Sequence, residues 1–182
     1  IRTGAPDTVI VATGGDKLVP QVPGLDLPIV CSAWDILGET IAPAKIAVVV
    51  GGGLIGMETA DFMSDKGCQV TLVEMMPKSP VPNYTSHGYM LHKRLKQAGC
   101  RLMFGARLEN IGEQSVTVRI NDEQQVLSDV EQVVLAVGMK PREELKAFLK
   151  DSGIPHEIVG DAVHVRRIIE ATDEGAKAVW NL

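Results

Sequence analysis

One short stretch constrains this chain more than any other. Gly51-Gly52-Gly53-Leu54-Ile55-Gly56 follows Ile46 to Val50, a run with four β-branched residues, as a strand covered on both faces requires. After it, apolar residues recur at helical spacing at Leu54, Ile55, Met57, Ala60, Phe62 and Met63, and Gly67 is a natural stop. A second strand, Gln69 to Val73, then ends at Glu74, 18 residues beyond Gly56. Strand, glycine turn, helix and strand make a βαβ unit, whose crossover sets the two strands parallel. Gly51 permits the tight turn, Gly53 lets the backbone approach a pyrophosphate, and Gly56 lets the helix pack on the strand. The helix start would add unpaired N–H groups and about half a positive charge, while Glu74 would accept hydrogen bonds from adenosine ribose hydroxyls.

Glycine spacing by itself is matched by chance in glycine-rich apolar sequence, and here the strand before it, the helix after it and the later acid narrow the reading. A plain strand-to-helix turn with a surface glutamate shares the pattern. So does a methyltransferase turn, although that usually has an acid just before the glycines, where this chain has Val49 and Val50. The motif does not separate NAD from FAD, because both adenosine halves are held in this way.

Elsewhere, Val9 to Ala12 reads as a short buried strand closed by Thr13-Gly14-Gly15. Prolines 20, 23 and 28 make residues 16–30 an extended connector, Ser32 caps a short helix through Gly38, and Pro43 marks a boundary. Residues 75–85 form a loop, Ser86 to Ala98 a helix, and Arg101 to Phe104 a third strand. Alternation in Val116 to Ile120 and the Asn121-Asp122 turn predict antiparallel strands over 106–129. Val133 to Val137 is a further buried strand closed by Gly138 and Pro141. A charged helix over 142–151, a strand at Glu157 to Val159 and a helix from about Arg166 to Trp180 complete the chain. The fold class is α/β, a Rossmann-like three-layer nucleotide-binding domain with a β-meander.

Composition excludes several classes. Of 182 residues 45% are hydrophobic, enough for a sizeable core, and 23 acidic against 18 basic residues give a net charge of −5. That balance opposes nucleic-acid and anionic-membrane binding. No apolar run approaches the roughly 20 residues of a membrane span, and no signal-peptide pattern opens the chain, so a cytoplasmic setting is expected. Cys31, Cys68 and Cys100 are widely spaced and form no CxxC pair, which predicts reduced, buried thiols, with Cys31 and Trp34 packed inside. His87 and His92 are five apart and His156 and His164 lie elsewhere, so no metal site is expected. No nucleophile elbow is present, and no catalytic residue is assigned.

Order along the chain carries a resemblance. Val9-Ile10-Val11-Ala12-Thr13-Gly14, then Gly51-Gly52-Gly53-Leu54-Ile55-Gly56-Met57-Glu58, then Leu135-Ala136-Val137-Gly138-Met139-Lys140-Pro141, then Ile158-Val159-Gly160-Asp161 resemble markers of the pyridine nucleotide-disulfide oxidoreductase superfamily. Its details are most like the C-terminal part of NADH:flavin oxidoreductases related to 2,4-dienoyl-CoA reductase, 2-enoate reductase and trimethylamine dehydrogenase. The resemblance implies an NAD(H) domain over 44–138, inserted between pieces of an FAD-type domain over 1–43 and 139–182. It makes Gly51, Gly52, Gly53, Leu54, Ile55, Gly56, Glu74 and Gly138 dinucleotide-binding, and Gly14 and Asp161 remnants of the FAD site. Glu58 would lie near the meeting place of nicotinamide and flavin, or else stabilise the helix start as a first-turn acid.

The implied cofactors are NAD(H), and FAD in a longer parent. The chain starts at Ile1 and lacks a first FAD glycine motif, so its missing partners would be the other half of the FAD domain and an FMN and iron–sulfur barrel. The expected function is delivery of hydride from NADH to a flavin, with the fragment alone inactive. The alternative from another class is a nucleotide-binding module, an NADH sensor or a structural ADP site. Glu74, with Lys78 as the only nearby cation in sequence, leads to an expected preference for NADH over NADPH.

Overall fold

The computed structural model describes residues 3, 4 and 6–180. It divides into a central unit, Val19–Gly138, and a terminal unit formed by the segments before and after it. The first terminal segment holds β1 (Val9–Val11) and β2 (Gly15–Lys17).

The central unit contains β3 (Val30–Ser32), α1 (Ala33–Leu37), β4 (Ile46–Val50), α2 (Leu54–Asp65), β5 (Gln69–Glu74), α3 (Ser86–Gln97), β6 (Arg101–Phe104), β7 (Arg107–Gly112), β8 (Ser115–Ile120), β9 (Glu123–Ser128) and β10 (Gln132–Leu135). Five strands form one parallel sheet in the order β3-β10-β4-β5-β6, and β7-β8-β9 form an antiparallel meander. Alternation along β4 sorts the layers. Ala47 and Val49 pack with Ile36 of α1, Met57, Ala60 and Met63 of α2, and Leu91 and Leu95 of α3. Val48 and Val50 pack instead with Leu108, Ile111, Val116, Val118 and Leu127 of the meander. Helices, sheet and meander are thus the three layers, and each fully buried aliphatic side chain contributes at most about 1.5–3 kcal/mol.

The connector before Pro43 differs from its expected form. Val30–Ser32 is a strand that runs parallel to β10, pairing Val133 with Val30 and Leu135 with Ser32. The compact central unit, Val19–Gly138, includes this strand. Three residues are too few for periodicity to reveal a strand, and its partner lies about a hundred positions along the chain. Ser32 does cap α1: its Oγ accepts from the Asp35 N–H, and the Asp35 carboxylate accepts from the Ser32 N–H.

After the central unit come β11 (Met139–Pro141), α4 (Glu144–Ser152), β12 (His156–Ile158), a 3₁₀ turn at Gly160–Ala162 and α5 (Ile168–Trp180). In the terminal unit β1 pairs parallel with β12, and β2 pairs antiparallel with β11. Residues 16 and 17 are thus strand rather than connector. Val11, Leu149 and Ala162 form this unit's small core. Among the described residues no helix is long and apolar enough to cross a membrane.

Candidate functional site

Strand order reverses about β4, and open parallel sheets bind ligands beyond their strand ends at such a point. Gly51 leaves β4 at φ +109°, donates its N–H to the Val73 carbonyl at 2.8 Å, and has no room for a Cβ, which would strike the Ala136 carbonyl oxygen. Only glycine meets both demands. Gly56 faces the same turn, where a Cβ would strike the Gly51 carbonyl and lie 3.3 Å from Ala136 Cβ. The helix thereby packs against the turn itself as well as the strand end.

Gly53 is the opposite case. No heavy atom lies within 4 Å of the position its Cβ would take, and as N-cap of α2 it offers no side-chain hydrogen bond. The first-turn N–H groups, those of Leu54 and Ile55 among them, keep their donors for an external anion. Leu54 itself is exposed, while Ile55 packs on the helix-side core. Beside Gly53 opens a cavity of about 640 Å³, lined also by Glu74, Met75, Met76, Arg107 and Gly138. That volume is usual for a small-molecule site. This donor set and cavity fit an anionic, nucleotide-sized ligand.

Glu74 is committed to the fold before it meets any ligand. It is 7% exposed. Its Oε2 accepts the Gly52 N–H at 2.6 Å and its Oε1 accepts the Met76 N–H at 2.7 Å. Gly52 has no Cβ because one would sit 2.8 Å from Glu74 Cβ. Each carboxylate oxygen retains another lone pair, so a ribose hydroxyl can still be accepted.

Glu58 is not in the first turn of α2, which begins at Leu54 and holds no acid there. It reaches across to α3, where its Oε1 lies 3.0 Å from His87 Nε2. Gly138, at φ +105°, ends the central unit and lines the cavity. Gly14 and Asp161 lie in the terminal unit. Pairing of Val11 with Ile158 brings the ends of β1 and β12, and so these two residues, to one edge. Gly14 turns at φ +71°, and Asp161 Oδ1 accepts the Arg166 N–H at 3.0 Å. Beside Gly14, Thr13 Oγ1 is buried with no hydrogen-bond partner among the described residues.

Arg107 has no signature in the sequence, yet it lines the cavity. The cysteines are free and partly rather than fully buried, and burial pushes the thiols of Cys31 and Cys100 up to about 11, with Asp35 adding to the effect at Cys31. Trp34 is 42% exposed, contrary to the packing expected with Cys31. Among the described residues no group of three His, Cys, Asp or Glu could hold a metal.

The family model for pyridine nucleotide-disulphide oxidoreductases matches residues 2–165. An NADH oxidase of Thermoanaerobacter brockii is 32% identical over 98% of this chain, and a bilirubin reductase of Mediterraneibacter gnavus (strain CC55_001C) is 34% identical over 91%. This chain spans only 28% and 26% of their lengths. A solved 2-naphthoyl-CoA reductase in complex with 2-naphthoyl-CoA superposes with a TM-score of 0.85 at 25% identity, over 97% of this chain and 27% of its own. With the parallel sheet, the glycine turn and a match over most of its length, this chain belongs to the pyridine nucleotide-disulphide oxidoreductase family.

Proposed function

We propose that this chain is the NADH-binding portion of a flavin-dependent oxidoreductase and delivers the hydride of NADH to a flavin. NAD(H) and FAD are the cofactors of the family. The observation that carries the reading is the open face at Gly53, where the start of α2 offers backbone donors over which the cavity opens. Gly51 to Gly56 would hold the pyrophosphate, Glu74 the adenosine ribose, and Gly138 would flank the ligand. The segment over 44–138 that would bind the nucleotide belongs to the compact central unit, which supports this reading. Residues of the terminal unit, Gly14 and Asp161 among them, would belong to an FAD-type domain completed by other parts of a longer parent, together with an FMN and iron–sulfur barrel. The buried, unpartnered Thr13 hydroxyl supports a ligand at that edge. When bound, NADH would supply the hydride and FAD would accept it, while Gly51 to Gly56 and Glu74 would bind and orient the donor.

Titration of the chain with NADH, followed by nucleotide fluorescence, should show saturable binding that Gly53→Val abolishes. In the parent protein, stopped-flow bleaching of the flavin by NADH should be lost in the same variant with FAD still bound. Binding without bleaching in the parent would favour a sensor or a structural nucleotide site, and unchanged reduction in the variant would overturn the assignment of the glycine turn.

A further inference from the structure

The cavity holds a cation that the glycine-turn pattern does not include. Arg107 is the first residue of β7, and two backbone bonds set its place: the Gly105 N–H donates to the Met76 carbonyl at 2.8 Å, and the Ala106 N–H to the Glu74 carbonyl at 2.9 Å. These bonds fasten the β6–β7 corner to the chain leaving β5, so Arg107 and Glu74, 33 positions apart, line one cavity. They do not pair. Glu74 gives its carboxylate to the Gly52 and Met76 N–H groups, and the exposed Arg107 side chain makes no hydrogen bond among the described residues, its charge being felt by Glu109 on the same strand.

We propose that Arg107 is a coenzyme-discriminating residue, one that receives a ribose 2′-phosphate beside Glu74 and so lets this chain take NADPH with only a small penalty against NADH. The inference rests on the dinucleotide reading given above. Glu74, fixed by two backbone donors, cannot swing away from an incoming phosphate, and alone it would repel the 2′-phosphate strongly. A guanidinium in the same cavity counters that repulsion. It is planar, charged at every accessible pH, and offers paired N–H donors that match two phosphate oxygens. No side-chain hydrogen bond has to break before it can do so, although it gives up part of its attraction to Glu109. Lys78, the cation nearest to Glu74 in sequence, is not among the residues lining the cavity. NADH, without a phosphate at this position, gains little from the same side chain.

The test is titration of the unmodified chain and of Arg107→Leu and Arg107→Lys with NADH and with NADPH, by nucleotide fluorescence, alongside thermal melts. The unmodified chain should bind NADPH within about tenfold of NADH. Arg107→Leu should weaken NADPH binding by at least about tenfold and NADH binding by less than about threefold, with Arg107→Lys between the two for NADPH. The melting temperature should hold in both variants, because the Arg107 side chain is exposed and makes no hydrogen bond among the described residues. Equal losses for the two nucleotides, or no loss for NADPH, would overturn the proposal, as would an unmodified chain that binds NADH and not NADPH. Failure of the unmodified chain to bind NADH at all would overturn the functional reading itself, and this inference with it.

Discussion

Glu74 Oε2 accepts a hydrogen bond from the Gly52 N–H at 2.6 Å, so the acid that ends β5 braces the turn that ends β4. A residue in position to meet a ligand thus also shapes the loop that meets the ligand. The brace is buried, which makes both partners sensitive to change.

Glu74→Ala strips the Gly52 and Met76 N–H groups of their acceptor. An unsatisfied buried donor costs about 1–3 kcal/mol, and in a chain of this size each kcal/mol lowers the melting temperature by about 2–4 °C. Gly52→Ala should destabilise by another route, driving a Cβ against the Glu74 side chain. In the double variant the contacts with Glu74 Cγ and Oε2 are gone and only the one with Cβ remains, so its loss should fall short of the sum of the single losses by about 0.5 kcal/mol or more. Thermal denaturation of the four proteins measures this, and strict additivity would refute the brace.

Gly53→Ala separates folding from binding. Its φ of −68° suits alanine, and the added methyl meets nothing. Stability should stay within about 0.5 kcal/mol of the unmodified chain. NADH affinity should fall by about tenfold or more, since the methyl would stand where the pyrophosphate approaches. A melt and a calorimetric titration on the same sample decide it, and an unchanged affinity would be the adverse result.

The thiols give a pH dependence. Cys31 and Cys100 are raised from an ordinary value of 9.0 to about 11, chiefly by burial, so at neutral pH their protonated form is favoured. Since the thiolate is the nucleophile, an upward move of this size cuts its population about hundredfold at pH 7.5. Iodoacetamide labelling read by mass spectrometry should find both slow at pH 7.5, accelerating as pH climbs through 9 towards 11. Cys68, whose thiol is raised without a comparable displacement, should label first. Faster labelling of Cys31 than of Cys68 at pH 7.5 would contradict the burial seen here.

The contact of Glu58 with His87 joins α2 to α3 between partly exposed side chains. Such pairs are worth about 0.2–1 kcal/mol. Glu58→Gln should therefore shift the melting temperature by no more than about 4 °C. A drop of 10 °C would show that the pair is structural in a way its exposure does not indicate.

Local pattern in the sequence determined four of the five strands of the central sheet, all but Val30–Ser32. Five β-branched or small residues, three glycines and a 3.6-residue apolar period leave β4, the turn and α2 little choice, and alternation from Val116 marks the meander. The left-handed turn at Gly51 and the close approach of Gly56 to it follow the same local logic, while the lack of room at Gly51 comes from Ala136, far along the chain. Only the tertiary structure decided what happens between residues far apart. Register between β4 and β5 sets Val50 beside Val73, which directs the next residue, Glu74, onto the Gly52 N–H. Partnership with β10 makes Val30–Ser32 a strand of the central sheet, and the bond from Ala106 to Glu74 carries Arg107 to the cavity. Backbone propensity acts over a few residues, whereas strand order and register join positions separated by tens of residues, and no local pattern records which of the possible pairings is the one that buries the core.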